Sequence, residues 1–331
     1  MKRREFIVGL GGAALLTPYP GLAQQREAVR KVAMLLPFGP DDPEGRRRLD
    51  AVREGLLQLG WSEDRNLSLA VRWLGNDPEA RAHESAEELV SHNPVLIFVA
   101  TTPALRAMTR ATATIPIIFA AVVDPVGSGF VPNLARPGGN VTGFSYLEPR
   151  MVEKWLELLK EIAPATRRVL YVYDPQTSIF GGNFLKAYEA GSRTLSLAPI
   201  NAPVLSVADV EKAMAGAADN PDSGLIILSD AFLFLHRKEI AALAARYRLP
   251  AVYYTREWVA SGGLVSYGPD VIDTYRRAPQ YIDRILRGAR PSDLPVQEPT
   301  AFELVVNRNA AKDLHLDIPQ SILARADEVI E

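Results

Sequence analysis

Short apolar runs alternate with longer amphipathic ones along this chain, and the whole pattern occurs twice. Few folds accept that. "KVAMLLPF" (31–38) reads as a buried strand, and "EGRRRLDAVREGLLQLGW" (44–61) follows as a helix, with Leu49, Val52, Leu56 and Leu59 at helical spacing. "LSLAVRWL" is the next strand, and "DPEARAHESAEELVSH" a helix with Asp77 as N-cap and Pro78 at its first position. "PVLIFVA", "TPALRAMTRAT" and "PIIFAAVV" continue as strand, helix and strand. The pattern then restarts at "MVEKWLELLKEIA" and "RRVLYVYDP" and runs to "LPAVYYT". Val32, Val95 and Pro116 of the first pass recur in order as Val169, Leu225 and Pro250. The architecture repeats, although the residues barely match. This predicts an α/β chain of two lobes of similar build with mainly parallel sheets.

The segment after 262 does not make a third domain. "GGLVSYGPD" is a strand, "VIDTYRRAPQYIDRILRGA" a helix and "RPSDLPVQEP" a proline-rich link, followed by "FELVVN", "RNAAKDL" and "IPQSILARADEVIE". That is too little for an independent core, so these pieces complete the two lobes through a multi-strand hinge. The expected division is 28–142 plus about 270–296 for one lobe, and 143–269 plus about 297–331 for the other.

Composition excludes several chemistries. With 331 residues, 47% hydrophobic and 23% charged, a packed core is within reach. The formal charge of −2 gives no basis for wholesale nucleic-acid binding. The absence of cysteine removes disulfides, thiol nucleophiles and Cys-ligated metals. "MKRREFIVGLGGAALLTPYPGLAQQ" has a basic start, a short apolar run and small residues at Gly21-Leu22-Ala23. That is the build of an export signal over residues 1–23. Arg3-Arg4 resembles the twin-arginine pattern, with Lys2 where Ser or Thr usually stands. An ordinary secretory signal with two arginines is the alternative. The expectation is a soluble, exported chain without a lipid anchor.

Familiar catalytic motifs are missing. Gly127-Ser128-Gly129 begins like a dinucleotide loop, but Pro132 replaces its third glycine. Arg136-Pro137 then breaks the helix that should receive the phosphate. There is no phosphate-binding G-x-x-x-x-G-K-[ST] run and no G-x-S-x-G elbow. His83, His92, His236 and His315 are scattered, without metal-ligand spacing. No cofactor, metal or catalytic residue is expected. "DPVGSGFVPNLARPGGNVTGFSY" (124–146) reads instead as the first crossing between lobes, with Gly143 at the hinge and Ser145 and Tyr146 delivered to the cleft rim.

The chemistry sits at the strand ends, where open α/β sheets bind ligands. The first strand ends at Phe38, the third at Thr101-Thr102 before Pro103, and the fourth at Asp124. The second pass contributes Ser178, Asp230, Tyr254 and Glu257. Hydroxyls and free amides at 101–102 open a helix, which suits an anion or serves simply as a threonine cap. Aromatics, hydroxyls and carboxylates together suit a small ligand with an apolar body and polar ends. Each aromatic alone is equally well a core residue.

"DPVGSGFVPNLARPGGNVTGFS", "GLLQLGW", "ATTPALRAM" and the ending "GLVSYGPD…YIDRILRGARPSDLPVQEPTAFELVVN…AAKDL…IPQSILARADEVIE" resemble ABC transporter substrate-binding proteins of the tryptophan/tyrosine-binding type. The resemblance spans nearly all of the chain beyond the signal. It implies a type I periplasmic binding fold of two Rossmann-like lobes, a ligand held in the cleft between them, and delivery to an ABC permease and its ATPase. It also implies that Thr101 and Thr102 hold a ligand carboxylate and that Asp230 pairs a ligand amine. The expected function is capture of a small carboxylate-bearing ligand, an aromatic amino acid or related apolar acid, by a monomer. A sensory module that shows its closed form to a receptor, or an enzyme on the same fold, are the alternatives.

Overall fold

A computed structural model describes residues 29–75, 78–175 and 181–331. The expected signal 1–23, the cap Asp77 and the candidate Ser178 lie outside the described residues.

The first sheet contains β1 (Arg30–Leu36), β2 (Leu67–Trp73), β3 (Leu96–Ala100), β4 (Ile117–Val122) and β5 (Val141–Ser145), in the order β2-β1-β3-β4-β5. All its pairings are parallel. Its central strands read as unbroken apolar runs because both faces are covered. Helix α1 (Pro43–Gln58) covers one face. Helices α2 (Pro78–Ser91) and α3 (Thr102–Ala111) cover the other. The Asp42 carboxylate caps α1 by accepting from the N–H groups of Glu44 and Gly45, and Pro43 starts it. The helix stops at Gly60, whose φ is +90°.

The second sheet is built after the crossing at 146–150. It comprises α4 (Met151–Ile162), β6 (Arg168–Tyr173), α5 (Gly181–Thr194), β7 (Ala198–Pro203), α6 (Val207–Ala218) and β8 (Ser223–Ile227). Then come α7 (Ala231–Leu235), α8 (Arg237–Arg246), β9 (Ala251–Tyr253), α9 (Arg256–Ala260) and β10 (Val265–Pro269). Helix α10 (Val271–Leu286) returns to the first lobe, where Tyr275, Ala278 and Ile282 join the core beside α1. The Trp61 indole donates to Asp283 at 2.8 Å and fixes that return. The chain then re-enters the second sheet as β11 (Phe302–Asn307), followed by α11 (Arg308–Asp313), α12 (Gln320–Leu323) and β12 (Glu328–Ile330). Its order is β12-β11-β10-β9-β8-β6-β7, parallel except for β10 against β11. Trp155, Tyr171, Tyr188 and Trp258 fill its core.

One boundary differs from the sequence reading. Residues 143–145, expected to open the second lobe, belong to the first sheet, because β5 pairs with β4. Gly143 is therefore no hinge. It lies opposite Phe119, where an added Cβ would stand 2.1 Å from the Phe119 carbonyl oxygen. The returning segment clamps β5 from the other side: Ser145 N–H donates to Gln297 O, Gln297 N–H to Gly143 O, and the Thr142 hydroxyl to Leu294 O.

Candidate functional site

Strand ends from both lobes enclose a cavity of about 260 Å³. The first lobe contributes Phe38, Asp42, Arg48, Thr101, Thr102, Arg106 and Ala121. The second contributes Ser229, Asp230, Phe234, Arg237, Tyr254, Thr255 and Glu257, with Tyr146 on the crossing. Seven candidates from the sequence are thus brought together: Phe38, Thr101, Thr102, Tyr146, Asp230, Tyr254 and Glu257. Asp124 and Ser145 are not among the lining residues. The Asp124 carboxylate accepts from Gly127 N–H and from the Asn183 amide, and Ser145 is buried against Gln297.

The backbone under the first-lobe wall is strained. Phe38, Thr101 and Ala121 have φ of 68°, 84° and 53°. Each follows or ends a strand and each lines the cavity. Non-glycine residues held there cost of order 1–3 kcal/mol apiece and gather where function needs the geometry. At Thr101, with ψ of 157°, the chain turns from β3 directly into α3, so Thr102, whose amide opens α3, stands at the cavity wall. Thr101 Oγ1 and Glu257 Oε2 are buried without a hydrogen-bond partner.

Arg48 was missed in the sequence. It is 7% exposed, its Nε donates to Glu44 at 3.1 Å, and its guanidinium lies 4.8 Å from the Phe38 ring and 5.5 Å from the Tyr275 ring. Burial works against its charge, but Tyr275, Glu44 and Glu257 outweigh burial and hold its pKa above the ordinary value. A signal was present. Arg48 stands four residues before Val52 and eight before Leu56, on the helix face that is buried. Burial, then the charge of Glu257, raises the Tyr146 hydroxyl well above its usual pKa, so Tyr146 stays a neutral donor.

Phe234 and Arg237 were also missed. Phe234 faces Phe38 across the lobes with ring centroids 6.4 Å apart. Arg237 backs Phe234 at 4.6 Å and donates to its carbonyl. Asp230 caps α7 by accepting from Leu233 N–H at 3.1 Å.

Six lining residues are charged, and the lobes divide them. The first lobe offers Arg48 and Arg106 against Asp42; the second offers Asp230 and Glu257 against Arg237. One wall is net positive and the other net negative. The arrangement can orient a small dipolar molecule across the gap. Among the described residues no group of His, Asp or Glu side chains could hold a metal ion.

The model of the ABC transporter substrate binding protein family matches residues 42–330. The chain belongs to that family. It is 26% identical over 275 residues to a tyrosine-binding protein of Clostridioides difficile (strain R20291), covering 81% of this chain and 77% of the relative. The crystal structure of a conserved domain protein from Vibrio cholerae O1 biovar El Tor superposes with a TM-score of 0.82 at 30% identity. That match covers 91% of this chain and 99% of the other. A domain from Streptococcus pneumoniae in complex with L-Trp gives the same TM-score at 24% identity, over 92% and 100% of the two chains. The fold is that of two-lobed type I periplasmic binding proteins. No helix among the described residues is long and apolar enough to cross a membrane.

Proposed function

We propose that this substrate-binding protein captures an aromatic L-amino acid in the interlobe cavity and works outside the inner membrane as the receptor of an ABC permease and its ATPase. The division of charge between the cavity walls carries the reading. A zwitterion placed across the gap answers both walls at once. Its carboxylate meets Arg48 and the Thr102 amide at the start of α3, the Thr101 amide being taken by the Ala120 carbonyl. Its ammonium meets Asp230 and Glu257 of the other lobe. Phe38, Phe234, Tyr146 and Tyr254 leave an aromatic body between them. A cavity of about 260 Å³ sits at the small end of ligand pockets and suits an amino acid. The tyrosine-binding relative supports the same ligand class.

Capture works by closure. Contacts to both walls are made only with the lobes together, so the ligand shifts the population toward that form, which the permease would recognise. The lobes would turn about the crossings at 146–150, near 270, and 296–301. The mature chain would begin after residue 23 and act as a periplasmic monomer.

Calorimetry with L-tyrosine, L-tryptophan and L-leucine tests the reading, with 3-(4-hydroxyphenyl)propionate as the amine-free control. L-Tyrosine or L-tryptophan should bind, and removal of the amine should cost at least roughly ten-fold, because Glu257 Oε2 is then left buried and unpaired. Equal affinity for the amine-free acid, or no binding by either aromatic amino acid, refutes it.

A further inference from the structure

Asp124, a strand-end residue outside the cavity, ties the lobes together. Its Oδ2 accepts from the Asn183 amide at 2.9 Å and its Oδ1 from Gly127 N–H at 2.8 Å. Asp124 follows β4 of the first lobe, and Asn183 lies on α5 of the second. Gly127 makes the approach possible. A Cβ there would stand 2.1 Å from Asp124 Oδ2 and 2.5 Å from Asn183 Nδ2.

Glu148 lies beside this bridge, on the crossing itself. Its Oε1 is buried without a hydrogen-bond partner. The groups that act on it are Asp124 from the turn after β4, Ser145 at the end of β5, Arg150 on the same crossing and Glu298 on the returning one. Arg150 is paired with Glu298. Arg277 of α10 donates to the Glu298 carbonyl and is paired with Asp273. Neither arginine is a dedicated partner for Glu148. Burial first, and the Asp124 charge second, push its carboxyl up to about 7, against the opposing pull of Ser145 and Arg150.

We propose that Glu148 and Asp124 form a proton-sensitive latch on lobe closure. With Glu148 neutral, the Asp124–Asn183 bond holds the lobes docked. Ionised Glu148 sets a second carboxylate against Asp124 and loosens that bond. The proposal goes beyond the ligand reading and does not depend on which ligand is bound. The sign follows from the direction of the shift. A carboxyl raised in the docked form favours docking fully below its ordinary value of 4.5, and that advantage is lost as pH rises to about 7. The ceiling, reached if undocking restores the ordinary value, is roughly 300-fold in the docking equilibrium.

The cysteine-free chain makes the test direct. Spin labels on Arg47→Cys and Lys238→Cys, both exposed and on opposite lobes, report the interlobe distance without ligand. Between pH 4.5 and 8 the ratio of docked to undocked protein should fall at least roughly five-fold. Glu148→Gln should stay docked and lose the pH dependence. Gly127→Ala, which leaves every charge in place, should lower the docked population at pH 4.5. Distances that ignore pH, or a Glu148→Gln protein that keeps the parent's pH response, overturn the latch. Should Glu148→Gln fail to fold, as judged by circular dichroism, Gly127→Ala decides alone: an unchanged docked population sinks the idea. Adding L-tyrosine to the same samples separates the two claims. A pH-dependent distance without tyrosine binding leaves the latch and removes the ligand reading; binding with a pH-independent distance does the reverse.

Discussion

Thr101→Gly should make this protein more stable and a worse receptor. Thr101 sits at φ 84° and ψ 157°, a region that glycine enters freely and threonine does not. Relief of that conformation is worth about 1–3 kcal/mol. Removing Oγ1, buried without a partner, adds about 1–3 kcal/mol. Against this stand about 0.5–1 kcal/mol for the extra chain entropy of glycine and about 1 kcal/mol for the lost methyl. The terms together span about 0–4.5 kcal/mol, with a central gain of about 2 kcal/mol. For a lobe of this size that central gain raises the melting temperature by roughly 4–8 °C. Affinity for L-tyrosine should fall roughly ten-fold, because the hydroxyl and the fixed α3 entry are both lost at the carboxylate end. Urea unfolding monitored by circular dichroism gives the first quantity and calorimetry the second. A variant that is less stable than the parent would show that the Thr101 backbone is not strained. A more stable variant with undiminished affinity would show that the strain serves something other than the ligand.

Two further substitutions probe the cavity wall and the β4–β5 pairing of the first sheet. Phe234→Leu removes one of the two rings that face each other across the lobes, so affinity for L-tyrosine should drop about 2- to 10-fold while L-leucine is unaffected, as read by calorimetry. Gly143→Ala forces a methyl onto the Phe119 carbonyl inside the first sheet and should cost about 3 kcal/mol in urea unfolding; an unperturbed fold would restore Gly143 as a hinge candidate.

The lobes were legible because parallel strands buried on both faces leave continuous apolar runs, as in "LIFVA" at β3. Strand β5 was not. "VTGFS" carries a glycine and a serine and follows a proline- and glycine-rich stretch, so nothing local marks it as sheet. Its place is fixed from outside the segment, by β4 across the proline- and glycine-rich stretch and by residues 294–297, a contact that spans some 150 positions in the chain. The site was legible where it depended on strand ends, and lost where it depended on helix faces. Arg48 is the third of three consecutive arginines, and such a run reads as solvated surface. Only the helix rotation separates it from Arg47, which is exposed. Asp124 shows the opposite failure. It ends a strand, as a ligand contact should, but its two oxygens are taken by Gly127 and Asn183. Sequence places a carboxylate at the cleft; it does not say whether the carboxylate is already satisfied.

That distinction explains why the charges at the cleft fall into two kinds. Asp124 and Asn183 complete each other with the lobes docked and need no ligand, so they set the resting balance between docked and undocked forms. Arg48 and Glu257 influence each other across the gap but leave Glu257 Oε2 unpaired, so the empty cavity is under-satisfied while the lobes are together. A zwitterion removes that deficit only in the docked form, which is the differential affinity that a population shift requires. A bridge that held the lobes too firmly would dock the empty cavity as readily as the full one, and a partner that reads closure could not tell them apart. A resting docking free energy near zero serves recognition best. A single carboxyl whose pKa lies close to neutral pH, set against the bridge and away from the ligand, can adjust that balance without touching the contacts that choose the ligand.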